Sequence, residues 1–126
     1  AMDLVNRDTQ GAATIVETNW WDPMPEDVID KVFDEVPFPG WAFEHAAVTE
    51  TSLMLYFAPS LCHMDRVVDI ANAKALPYFR YPLYKGDVPE SGALASANSS
   101  SAQRGMIIVD SVIPELVKIC HKEFGV

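Results

Sequence analysis

This chain is short of cations. Its 126 residues carry 9 Lys and Arg against 18 Asp and Glu, a formal net charge of -9. A protein of that sign repels phosphate backbones and anionic lipid, which argues against nucleic acid and membrane surfaces as partners. It is also short of cysteine. Cys62 and Cys120 have neither a CxxC spacing nor a histidine at zinc-finger distance. They read as reduced core thiols of a cytoplasmic protein, not as a disulfide framework or a zinc ribbon. No apolar run reaches the length of a membrane span, and no charged-then-apolar leader is present. Ser52 lacks the G-x-S-x-G elbow of a serine hydrolase. His63 and His121 do not stand at ligand spacing from paired acids.

What the chain has is apolar and aromatic mass. Hydrophobic residues make up 49%, with three Trp, five Met and six Phe. The length predicts one compact domain over 1–126. Gly11 ends a short initial helix over Met2–Thr9. Ala12–Trp21 predicts a strand through Thr14, Ile15 and Val16, with Trp20 and Trp21 at its carboxyl end. Pro25, Glu26 and Asp27 open a helix patterned by Val28, Ile29, Val32, Phe33 and Val36 and stopped by Pro37. Asp30, Asp34 and Glu35 read as its solvated face. Arg66–Ile70 is a second strand candidate. Asn72–Gly92 reads as an irregular loop with Pro77, Pro82, Pro89 and the aromatics Tyr78, Phe79, Tyr81 and Tyr84, suited to contact with another subunit. A serine cluster caps a last helix from about Ser99 to Lys122, kinked at Pro114. The order of elements predicts α/β. Two or three strands are too few to satisfy one another's amides, and the chain starts inside a helix. The expectation is a fold incomplete on its own, finished by an upstream half or by a partner chain.

The stretch Gly40–Asp65, GWAFEHAAVTETSLMLYFAPSLCHMD, concentrates the chemistry. Phe38-Pro39-Gly40 breaks the chain. Helical periodicity runs from near Ala47 to about Phe57, where Ala58-Pro59 stops it. Glu44 and His45 therefore stand just before a helix start, where free amides and the positive dipole end favour a neutral, proton-accepting imidazole. Glu44 can orient that ring, Glu50 in the first turn can reach it, and Trp41 supplies a flat wall. Taken singly, a histidine here reads equally as a cap, a tryptophan beside glycine as packing, and Glu50 as a complement to the helix dipole. Their density points to a site holding a base, an orienter and a ring-stacking surface.

The strings GWAFEHAAVTETSLML, MDRVVD and TNWWDP, together with the G-x-L-A-S-A entry to the last helix, resemble the creatininase (creatinine amidohydrolase) family. The resemblance covers nearly the whole chain but only the carboxyl-terminal half of a family member. It implies part of a three-layer α/β/α fold and a homo-oligomer, creatininase itself being a homohexamer. It also implies hydrolysis of a cyclic amide by two divalent metals, zinc and manganese, bridged by a hydroxide. It makes Trp21 and Trp41 the residues that enclose the substrate, with Trp41 on a movable flap. His45 handles the proton, Glu44 is its neighbouring acid and Glu50 supports the site. The family's metal ligands lie in the half with no counterpart here, so none is assigned in this chain. Ala42 stands where creatinine-acting members place an acid, and Ala47 where a glycine is common. The readings left open are an amidohydrolase part, acting on creatinine or on another lactam, and a non-catalytic assembly or binding module.

Overall fold

In the computed structural model, residues 1–70, 78 and 80–126 are described. Among them the regular structure is helical throughout, with no strand. Four α-helices follow one another: α1 (Met2–Asp8), α2 (Glu26–Val32), α3 (Val48–Phe57) and α4 (Ala102–Phe124). Single 3-10 turns occupy Trp41–Phe43, Pro59–Leu61 and Met64–Arg66. No helix among the described residues is long and apolar enough to cross a membrane.

This corrects the α/β expectation and the three-layer sandwich with it. Ala12–Trp21 runs extended and then turns, and residues 67–70 leave a 3-10 turn without pairing. Among the described residues no backbone hydrogen bond joins 13–18 or 68–70 to another segment. Ile15, Val16 and Val68 are exposed at 37%, 38% and 59%. β-branched runs fit a pleated surface, but only a neighbouring strand makes such a surface. The Asn72–Pro77 and Phe79 parts of the aromatic-proline loop lie outside the described residues. Of its remainder, Tyr78, Tyr81 and Tyr84 are exposed, and Arg80 pairs with Asp87 while lying 3.8 Å over the Tyr84 ring.

The helices form where capping and pattern agree. α1 closes with a left-handed Gln10 and Gly11, the Gly11 amide reaching the Asn6 carbonyl at 3.0 Å. α2 is shorter than its apolar spacing predicts and ends at Phe33. Asp30, Asp34 and Glu35 are exposed as expected, and the last two also pair across to α4. Arg104, reaching across from α4, donates to Asp34 Oδ1 at 2.6 Å, to Glu35 Oε2 at 3.0 Å and to the Val32 carbonyl at 2.7 Å. That last bond satisfies a carbonyl orphaned by the helix end. α4 begins at Ser101, whose hydroxyl accepts from the Arg104 amide at 3.2 Å, and closes on a left-handed Gly125.

The core lies where α2, α3 and α4 meet: Met24, Val28, Val32, Phe33, Val48, Ile108 and Val112. Ser52 is fully buried in α3 and accepts from the Ser101 amide at 3.1 Å, which ties the entry of α4 to α3. One turn further along, Gly105 lets the two backbones touch. A Cβ there would collide with the Ser52 carbonyl oxygen and lie 2.8 Å from Tyr56 Cβ. Backbone cannot yield as a flexible side chain can. Gly105→Ala is therefore expected to destabilise the fold by about 1–3 kcal/mol or more, the usual range for overpacking, despite alanine's better helix propensity. A urea midpoint equal to or above that of the parent would contradict this packing.

Candidate functional site

Three short pieces of backbone build the site. The first is the turn Asn19–Asp22. The Asp22 carboxylate accepts from the Asn19 amide at 2.9 Å, and the Asp22 amide donates to the Asn19 carbonyl at 3.1 Å. Asp22 is thereby spent on its own turn, and Trp20 and Trp21 occupy the turn's centre. The second is the 3-10 turn Trp41–Phe43, entered through Gly40 at φ 91, a conformation that glycine adopts without strain. The third is the first turn of α3.

The indoles meet face to face and edge to face. Trp21 and Trp41 stack with centroids 5.8 Å apart and planes 20° apart. Trp20 stands edge-on to both, at 5.4 Å and 6.2 Å. Phe38 braces Trp41 from the core side at 5.1 Å. Beneath them lies a cavity of about 130 Å³ lined by Trp20, Trp21, Trp41, Glu44, His45, Thr49 and Glu50. A water's share of liquid is about 30 Å³, so the space suits a small ring rather than a polymer.

All five residues singled out from the sequence line this one cavity, but their pairing differs from the expectation. Glu44 does not orient the histidine. It is 5% exposed, and its Oε2 accepts from the Thr49 amide and the Thr49 hydroxyl, each at 2.7 Å, serving as a cap for α3. Its Oε1 is buried without a hydrogen-bond partner among the described residues. Glu50 is the acid nearer His45. Its Oε2 lies 3.9 Å from His45 Nδ1 and accepts from the Ala46 amide at 2.7 Å. Ala46 itself adopts φ 51, a left-handed kink that turns the loop onto the helix. The His45 ring is 68% exposed, so solvent and the ring nitrogens meet at the cavity mouth.

Burial pushes the Glu44 carboxyl above the ordinary glutamate range. The Thr49 hydrogen bonds oppose the shift and the nearby charge of Glu50 adds to it. The folded state thus holds the Glu44 proton more tightly than the unfolded chain. The sign follows: Glu44 costs stability as pH rises from its unfolded value through its folded one, and costs nothing below.

Trp20 and Thr49 were missed as site residues. The Trp-Trp pair before a turn-forming Asp was a signal for the first. Thr49, five residues after Glu44 and inside the first helical turn, was a signal for the second.

Among the described residues no group of three or more His, Cys, Asp or Glu is arranged to hold a metal ion. Glu44, His45 and Glu50 share the cavity but do not converge: Glu44 Oε2 is taken by Thr49 and Glu50 Oε2 by a backbone amide. The donor set does not fit a metal centre.

Residues 2–120 match the family described as Creatininase: Creatinine amidohydrolase. The chain is 35% identical over 111 residues to a creatinine amidohydrolase from Pseudomonas putida, covering 87% of this chain and 42% of that protein. Among solved structures, "Creatininase Mn" superposes with a TM-score of 0.87 at 34% identity, over 98% of this chain and 49% of that one. A glutamate-to-glutamine creatininase variant of Zn-Zn type gives 0.89 at 33% identity, with the same coverage. A variant of that kind complexed with creatine gives 0.86 at 34% identity, over 98% of this chain and 50% of that one. The chain spans about half the length of the relatives it matches.

Proposed function

We propose, from the premise that this chain belongs to the creatinine amidohydrolase family, that it is the carboxyl-terminal portion of a metal-dependent hydrolase of small cyclic amides. The observation that carries the reading is the cavity beneath the indole stack, which gathers Trp21, Trp41, Glu44, His45 and Glu50. The substrate class is that of creatinine and creatine, a flat, nitrogen-rich molecule offering N–H donors and a carbonyl or carboxylate.

Each residue has a role that its position supports. Trp21 and Trp41 part to take the ring between their faces, Gly40 giving Trp41 the freedom to swing. His45, at the open mouth, passes a proton to the departing ring nitrogen. Glu50, 3.9 Å away, steadies the protonated ring. Thr49 holds Glu44 in place beneath them.

The metals that polarise the amide and supply an activated water in such chemistry belong, in this proposal, to the part of the relatives' length that the chain does not span. The chain is accordingly inactive alone. It works with an amino-terminal portion, or with a partner chain that provides one, in a homo-oligomer in the cytoplasm.

The protein's three tryptophans all lie in the stack, so tryptophan emission, excited where its four tyrosines do not absorb, reports the site. Titration with creatine is expected to change the emission saturably. An unaltered spectrum at concentrations where the joined enzyme turns over would rule out the ligand class. The other reading, a non-catalytic assembly module, predicts a stable oligomer with no fluorescence response and no hydrolysis after joining.

A further inference from the structure

Glu44 is the side chain common to two cavities. On one side is the space beneath the indoles. On the other is a second cavity of about 410 Å³, whose lining includes Pro37, Ser96, Asn98 and Ser99. Its two oxygens are not equivalent. The two hydrogen bonds to the carboxyl group, from the Thr49 amide and hydroxyl, go to Oε2, and the Val48 amide nearby also favours the charged form. Oε1 is buried and has no hydrogen-bond partner among the described residues. An ionised carboxylate would leave charge on a buried oxygen with no hydrogen bond from the described residues to hold it, a costly state. A proton on Oε1 removes the charge and leaves Oε2 as the carbonyl-type acceptor that Thr49 requires.

We propose that Glu44 binds its ligand as a neutral carboxylic acid, its Oε1 hydroxyl donating to a carbonyl or carboxylate oxygen of a small molecule seated against the indoles; the ligand class is that of the proposed function above. The other titratable groups around the carboxyl are His45 and Glu50 in the first cavity and Glu35 in the second. None of them donates to Oε1. Glu50 Oε2 accepts from the Ala46 amide, and among the described residues Glu50 is the acid within ion-pair range of His45. The raised proton affinity of Glu44 agrees with this arrangement. Oε1 is thus reached only when the indoles part, and a ligand oxygen then competes with water for its proton.

The test uses the chain labelled with carboxyl-¹³C glutamate, with Glu44→Gln assigning the resonance, and creatine as probe. The carboxylate and guanidinium of creatine do not titrate between about pH 5 and 9, to judge from their amino-acid counterparts. The Glu44 carbon is expected to titrate above the exposed glutamates, and saturating creatine should move that transition further up. Creatine affinity, read by tryptophan emission, should fall at least tenfold across the same transition in the parent. Glu44→Gln, which keeps a neutral donor, should lose that fall. Glu44→Ala should weaken creatine at least tenfold below the transition, and the glutamine variant keeps the question decidable if the alanine variant fails to fold. Glu44 titrating with the exposed glutamates, or a creatine affinity equally pH-dependent in parent and Glu44→Gln, overturns the inference and leaves the proposed function standing. No tryptophan response to creatine at any pH overturns the ligand role and the proposed function together.

Discussion

His45→Ala, made in the chain after joining to a metal-bearing amino-terminal portion of a creatininase, is expected to lower kcat for creatinine by about 10²- to 10⁴-fold, the usual worth of a positioned general acid or base. The fold should not notice. The His45 ring is 68% exposed, and among the described residues its one ion-pair neighbour is the Glu50 carboxylate at 3.9 Å. KM should move far less than kcat, because the proton is transferred in the transition state and not on binding. A His45→Ala enzyme with kcat within threefold of the parent would remove the histidine from the chemistry.

Trp41→Ala is expected to act on binding. Its indole stacks on Trp21, stands edge-on to Trp20 and leans on Phe38. Stacking a flat heterocycle on an aromatic side chain is worth roughly 1–3 kcal/mol by alanine substitution, or about a five- to 150-fold loss of affinity. The same truncation removes one wall of the cavity and frees Trp21 to collapse into it. Creatine titration of the variant, followed on the two remaining tryptophans, should show that loss. Trp41→Phe keeps a flat face and should recover most of it. An unchanged affinity in Trp41→Ala would mean that the ligand sits elsewhere.

Much of the helical scaffold was legible in the sequence, because its signals are local. Ala58-Pro59 stops α3 where the breaker predicts, and the Ala47 start misses the observed one by a single residue. Ser101 caps α4, and Gly125 terminates it. The strands were not legible, since Thr14-Ile15-Val16 states a preference for a sheet without saying whether a neighbouring strand exists. The helix over Val28–Val36 was read too long. Its apolar spacing continues, but Phe33 departs from helical backbone and Arg104, 72 residues after Val32, binds the final carbonyl. No window of local sequence contains that contact.

The site divides along the same line. The gathering of Trp41, Glu44, His45 and Glu50 is readable from breakers and a helix start, and Trp21 joins them in the sequence only through the family resemblance. Their pairing is not readable there. Glu44 and His45 are neighbours in sequence, yet one side chain turns inward to Thr49 and the other stays at the surface. The left-handed turn at Ala46 brings Glu50 back toward the histidine, and alanine carries no signal for such a turn.

The central claim is a division of labour: ring-holding and proton-handling groups on this chain, metals on another segment. The zinc and manganese content of the purified chain, measured after exposure to both ions and again after joining to a creatininase amino-terminal portion, tests it directly. The account predicts well under one ion per chain alone and about two per joined molecule, as in two-metal hydrolytic sites. Two ions held tightly by the isolated chain would contradict it.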